Sequence, residues 1–294
     1  MKSLIWKLGL FFLVLLFGAG QLGGCSCSPP TEVTSLVLID DTHLNVGIDT
    51  DITDYYAELI STLRGMGYGV KLASEVGLAP SVPTYSIVIL ATPSQGYNSS
   101  ETQALVNFVE NGGKLIMMGD WGGYAESANT NLSNLSSALG AGIEFNIDTV
   151  YDETNNWDGH TDWPVTSNFV SHPTTSGLSS IAYIAGCSLS VQDPATVIVY
   201  AEDTAMVYEE DTADTFENLN TPKGNSASSG IEAAGTKDII VVGDIVLSAV
   251  ANIGNGKVIA IGDTNIFGDD VDSEETDFIY ILDNLKFFKN IINW

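Results

Sequence analysis

Three short apolar runs in this chain end in carboxylates, at the positions where an α/β sheet would present them to a ligand. Residues 35–39 lead into Asp40 and Asp41, followed by His43 and Asn45. Residues 114–118 lead into Asp120 and Trp121, and residues 257–261 into Asp263, Asn265, Asp269 and Asp270. Open α/β sheets bind ligands beyond the carboxyl ends of their strands. If the sheet order gathers these ends, the crevice carries oxygen donors suited to Ca²⁺ or another divalent cation. It suits sugar hydroxyls equally, with Trp121 and Tyr124 as stacking faces. The competing reading is that each aspartate caps the turn or helix after it. A hydrolase built here would use Asp120 or Asp263 as general base, with His43 or His160 assisting.

A second set, Asp158, His160 and Asp162 with His172 nearby, offers two imidazoles and two carboxylates to a transition metal. Its spacing matches no compact metal motif, and solvated loops hold such residues without any metal. Trp157 and Trp163 flank it and either stack on a sugar or pin the loop. Asp49, Asp51 and Asp54 lack the spacing and central glycine of a calcium loop, and read instead as the acidic start of a helix. Neither phosphate-loop nor dinucleotide glycine spacing occurs, and no Gly-x-Ser-x-Gly elbow is present.

The elements that must position these residues alternate. Strand-like runs at 35–39, 69–72, 87–90 and 114–118 are separated by two helical patterns. In the first, Tyr55, Tyr56, Leu59, Ile60, Leu63 and Met66 share a face, ended by Gly65 and Gly67. In the second, Ser100 and Gln103 are spaced as a capping box before Leu105, Phe108 and Val109, and Asn111-Gly112-Gly113 ends the helix. This order predicts a doubly wound, mostly parallel sheet flanked by helices, with a β-rich or irregular insertion. Further on, 132–139 reads as a short helix, and 142–145 and 195–200 as strands. Residues 150–172 read as a long surface excursion, and 202–237 as an acidic insertion. Strand character resumes at 239–242 and 245–251. Asn255-Gly256 marks a hairpin turn into 257–261, and a final helix aligns Phe278, Ile281, Leu282, Leu285, Phe288 and Ile292.

Residues 1–24 carry Lys2 and Lys7, an apolar run at 8–17 shorter than a membrane span, and Leu22-Gly23-Gly24 before Cys25. This resembles a bacterial lipobox. It implies export, lipidation at Cys25, a tether over 25–34 and a domain over 35–294, attached to a membrane through the lipid. The resemblance places the protein at the outer membrane of a double-membraned cell, or at the outer face of a single one. The chain has 294 residues and a formal charge of -27, which becomes -29 without Lys2 and Lys7. Such a charge repels phosphate and excludes nucleic acid as a partner. An envelope protein or a glycan remains as partner. Cys187 sits in an apolar stretch and reads as buried.

The stretch YSIVILATPSQGYNSSETQALVNFVENGGKLIMMGD resembles the central unit of class I glutamine-amidotransferase-like domains. The stretches NLSNLSSALGAGIEFNIDTVYD and SHPTTSGLSS, with the closing GKVIAIGDTNIFGDD and DNLKFFKNIINW, are similar to the GIFT-type branch of gliding-motility and intraflagellar-transport proteins. Catalytic members carry a nucleophile on the turn after the strand matched here by 114–118. This chain has Gly119-Asp120-Trp121-Gly122-Gly123 there, and an aspartate cannot replace a low-pKa thiolate. The resemblance therefore implies a non-catalytic, flavodoxin-like envelope binding or assembly module.

Overall fold

The computed structural model describes residues 35–45, 48, 51–209, 239–241 and 244–294. The expected leader, Cys25, the tether, Asp49 and residues 210–237 of the acidic insertion lie outside them. The chain first alternates: β1 (Ser35–Asp40), α1 (Ile52–Tyr55), α2 (Ala57–Gly65), β2 (Tyr68–Leu72), α3 (Ala73–Val76), α4 (Leu78–Ser81), β3 (Ile87–Ala91), α5 (Ser99–Glu110), β4 (Lys114–Met118) and α6 (Gly122–Leu139). A strand-rich stretch follows: β5 (Ile143–Phe145), β6 (Asp148–Tyr151), β7 (Asn156–Trp157), β8 (His160–Thr166), β9 (Ile181–Ala182), β10 (Leu189–Val191), β11 (Thr196–Tyr200), β12 (Met206–Glu209), β13 (Ile239–Val241), β14 (Val246–Ile253) and β15 (Gly256–Ile261). Helix α7 (Asn284–Asn293) comes last.

The fold is mixed α/β with a large central sheet in the order β2-β1-β3-β4-β15-β14-β10-β5, and β11 also pairs with β14. Strands β2, β1, β3, β4 and β15 run parallel. The remaining strands join antiparallel, beginning where β14 hairpins into β15. The inner parallel strands β1, β3, β4 and β15 are near-continuous apolar runs because both faces are covered; all five residues of β3 are buried, whereas the edge strand β2 leaves Lys71 exposed. One face packs Val37, Ile89 and Ile259 against Leu59 and Leu63 of α2 and Phe287 and Ile291 of α7. The other packs Leu38, Leu90 and Val258 against Leu105 and Val109 of α5 and Leu132 and Leu135 of α6.

Several local expectations change. The capping box of α5 lies at Asn98 and Glu101: Asn98 accepts from the Ser100 and Glu101 amides at 2.9 and 3.1 Å, while Glu101 accepts from the Asn98 amide at 2.9 Å. Two overlapping boxes exist in the sequence, and the earlier one starts the helix. Helix α6 begins at Gly122, ten residues before the predicted start, with a kink at Ala125. The excursion at 150–172 carries the end of β6 and strands β7 and β8, with Val150 and Thr166 fully buried. In the insertion, β12 pairs with β6. The last helix starts at Asn284, after a 3₁₀ turn at Phe278–Tyr280. The hairpin before β15 turns on Gly254 (φ +58°) and Asn255, one residue early. Gly256 is needed for packing, since a Cβ there would meet the Val109 carbonyl oxygen at 2.0 Å.

Candidate functional site

The carboxyl ends of the parallel strands hold two polar networks rather than one crevice. The first is built on the loop after β1. Asp40 is fully buried and accepts from the Thr42 amide (3.1 Å), the Thr42 hydroxyl (2.7 Å) and the Tyr97 hydroxyl (3.1 Å). His43 Nδ1 lies 2.8 Å from Asp40 Oδ2, and its Nε2 lies 3.3 Å from Glu101 Oε2 at the start of α5. Burial opposes charge on both Asp40 and His43, but their mutual attraction outweighs it. Asp40 is held below its ordinary pKa. His43 is held above its own, by Asp40 first and Glu101 second. The adjoining Asp41 is half-buried and turns to the β2 side, where it accepts from the Ser74 amide in the first turn of α3 at 2.7 Å.

The second network joins the ends of β4 and β15. Asp263 is fully buried and accepts from the Ile184 amide (2.6 Å) and the Asn265 amide (2.7 Å). Asp120 accepts from the Trp121 amide (2.7 Å) and Asn265 Nδ2 (3.3 Å). Asn265 also accepts from the Tyr55 hydroxyl. Burial, then the charge of Asp263, pushes Asp120 well above the ordinary carboxylate range. Burial raises Asp263 too, but three backbone amides pull against it, so Asp263 is the better home for the negative charge. Asp269 accepts from the Glu58 amide at 3.0 Å near the start of α2.

A carboxyl whose folded pKa is raised binds its proton more tightly folded than unfolded. Its charge therefore costs stability as pH rises from the unfolded value, about 3.9, through the folded one. Asp120→Asn is expected to flatten that fall. Urea unfolding of wild type and variant at pH 4.5 and 8 checks it; parallel losses in both proteins would show that Asp120 titrates normally.

No three His, Cys, Asp or Glu side chains among the described residues gather as a metal site. Of the residues expected to line a cation crevice, Asp120, Trp121, Asp263 and Asn265 come together at the ends of β4 and β15, whereas Asp40 and His43 pair at the end of β1, and Asp41 and Asp269 accept from the amides of Ser74 and Glu58. The proposed metal set separates as well. His160 stacks on Trp163 at 4.1 Å, Asp158 accepts from the Ser273 amide at 3.3 Å, and Asp162 uses its backbone carbonyl to bind Ala185. His172 caps the turn Pro173–Thr175 and meets Trp294 edge-on. Closeness in sequence groups it with the others, but β8 and the loop after it carry the chain away. Trp157 pins its loop by donating to Asp272 at 3.0 Å. Cys187 is fully buried, and burial pushes its thiol up.

Sequence reasoning missed Tyr97, Glu101 and Asn129. Asn129 is fully buried on α6, where it accepts from the Asp120 amide (3.1 Å) and donates to the carbonyls of Asp120 (2.7 Å) and Asn146 (3.0 Å). Its signal was present: Ala125, Asn129, Leu132, Ser136 and Leu139 share one helical face, and two of those positions are polar.

Comparison with known proteins supplies the fold's relatives. The mmIFT52 N-terminal domain is similar at TM-score 0.64 and 16% identity, covering 88% of this chain and 96% of that one. A putative ThuA-like protein from Bacteroides uniformis is similar at TM-score 0.52 and 16% identity, covering 92% and 95%. The cytoplasmic protein STM1381 from Salmonella typhimurium LT2 is similar at TM-score 0.52 and 15% identity, covering 88% and 98%. No protein of curated description matches. At such identities the likeness concerns the fold alone. The resemblance to a lipoprotein with a class I glutamine-amidotransferase-like domain of the GIFT type is corrected by the family match. The strand, capped helix, Gly-Gly turn and strand that carried it are general α/β grammar, and short motifs of that kind do not separate families. Residues 56–270 match the family described as "Domain of unknown function (DUF4350)", and the chain belongs to it.

Proposed function

We propose that this is a non-catalytic binding domain that engages a protein partner across the carboxyl-end rim of its parallel strands. One observation carries the reading. The exposed large hydrophobic residues among those described are Leu44, Tyr124, Val271, Tyr280 and Leu282, and each lies in a segment leaving β1, β4 or β15 at its carboxyl end. Leu44 and Leu282 hold positive φ, +50° in both, which a leucine adopts only when its surroundings impose it. The rim carboxylates are engaged by amides and so are poorly placed to act as bases. We further read the parallel half as doubly wound and flavodoxin-like. The order β2-β1-β3-β4-β15 is the succession 2-1-3-4-5, whose switch point falls between β1 and β3, beside Leu44.

The test is site-specific photo-crosslinking in cells. A crosslinker at position 44 or 124 is expected to capture one discrete partner, and one at position 111, at the opposite edge, is not. Equal capture from all three positions overturns the rim assignment. Turnover of glycoside or amide substrates by the full chain, lost in Asp120→Asn, would instead establish a hydrolase.

A further inference from the structure

The loop after β1 is tied to the loop after β3 by its backbone. The Gln95 amide donates to the His43 carbonyl at 3.0 Å, and the Ser94 amide and hydroxyl both donate to the Leu44 carbonyl, at 3.2 and 2.6 Å. Asn45 adds a ladder bridge to Pro93, and its side chain donates to the carbonyls of Asp40 and Ala91. His43 is the side chain that extends this tie to α5, and Leu44, next to it, is 62% exposed.

We propose that His43 is a pH-operated latch that fastens the loop after β1 to the start of α5 and so fixes Leu44 on the rim. The imidazole faces Asp40 at 2.8 Å and the Thr42 hydroxyl at 3.1 Å from its own loop. It faces the Tyr97 ring at 4.4 Å from the segment before α5, and Glu101 at 3.3 Å from α5 itself. Both charged neighbours are acidic, and the Tyr97 hydroxyl is committed to Asp40. The protonated ring offers an N–H to each carboxylate. Loss of one proton to water leaves a lone pair facing a carboxylate oxygen. The longer Glu101 contact opens, because Glu101 keeps the Asn98 amide while Nδ1–H stays on the nearer Asp40. Burial works against the charge, but the two carboxylates outweigh it and leave the ring protonated to higher pH than a free histidine. Deprotonation therefore loosens the loop.

Only the purpose given to Leu44 rests on the proposed binding function; the latch is tested on the chain alone. Imidazole resonances of the full chain are followed from pH 5 to 9 together with amide hydrogen exchange corrected for its intrinsic pH dependence. His43 is expected to titrate above the ordinary value and His172 below it, since burial and Lys257 depress the latter. Protection of the Ser94 and Gln95 amides should fall about tenfold as His43 loses its proton. The Thr92 amide, bonded to Met118 on the neighbouring strand, should hold. Glu101→Gln should move the step to lower pH, and His43→Gln should remove it. Flat protection at Ser94 and Gln95 across the titration, or His43 titrating at or below the ordinary value, overturns the latch and leaves the rim crosslinks untouched. Absent crosslinks with a pH step intact would reject the binding function and keep the latch.

Discussion

His43→Ala is expected to destabilise the domain by about 3 kcal/mol at pH 5 and by distinctly less at pH 9. Asp40 is fully buried and His43 nearly so, and breaking a buried ion pair strands the remaining charge, at a cost of about 3–5 kcal/mol. The lower end applies because Asp40 keeps two donors from Thr42 and one from Tyr97. The pH window follows from the direction of each shift. Asp40 is depressed, so its contribution is present above its unfolded value, about 3.9, and is lost as pH falls through the folded one. His43 is raised, so its contribution is complete below about 6.5 and is lost as pH rises through its folded value. The pair therefore contributes most between about pH 4 and 6.5. Urea unfolding of both proteins at the two pH values measures the difference, and a gap independent of pH would show that the ring acts by packing on Tyr97 rather than by charge.

The sheet was legible in the sequence and the polar networks at its ends were only half so, for a physical reason. A parallel strand covered on both faces has to be an uninterrupted apolar run, so residues 35–39, 87–90 and 114–118 announced themselves. A capped amphipathic helix also carries its own local signals, and α5 was misplaced only in which of two overlapping boxes starts it. The partners of the aspartates are a different matter. Asp40 meets Glu101 through His43 across a separation of 58 residues between the ring and the glutamate, and Asp263 takes the amide of Ile184, which no spacing rule reaches. The same limit undid the grouping of His172 with His160. Both lie on one stretch of chain, yet one stacks on Trp163 and the other meets Trp294 edge-on. Capping by the strand-end aspartates, by contrast, follows from local chemistry: Asp40 takes the amide two residues on, Asp120 the next one and Asp263 that of Asn265.

Asn129 is where that local chemistry needs long-range support, and Asn129→Ala is expected to cost about 3 kcal/mol. Its amide serves the Asp120 N–H, the Asp120 carbonyl and the Asn146 carbonyl together, all through a side chain with no exposed surface. Truncation leaves these backbone groups short of a partner in a dry interior, at about 1–3 kcal/mol for a buried group left unsatisfied. Asn129→Asp should fare no better, since a carboxylate accepts from the Asp120 amide but sets an oxygen against two carbonyls. Ser136→Ala is the matched comparison on the same face of α6. Its hydroxyl accepts only the longer bond from the Ile143 amide, 3.3 Å, and its loss should cost about 1 kcal/mol. Chemical unfolding of the three variants ranks them. If Asn129→Ala proves no worse than Ser136→Ala, the turn holding Asp120 is fixed by Trp121 and Asn265 instead, and its link to α6 is incidental.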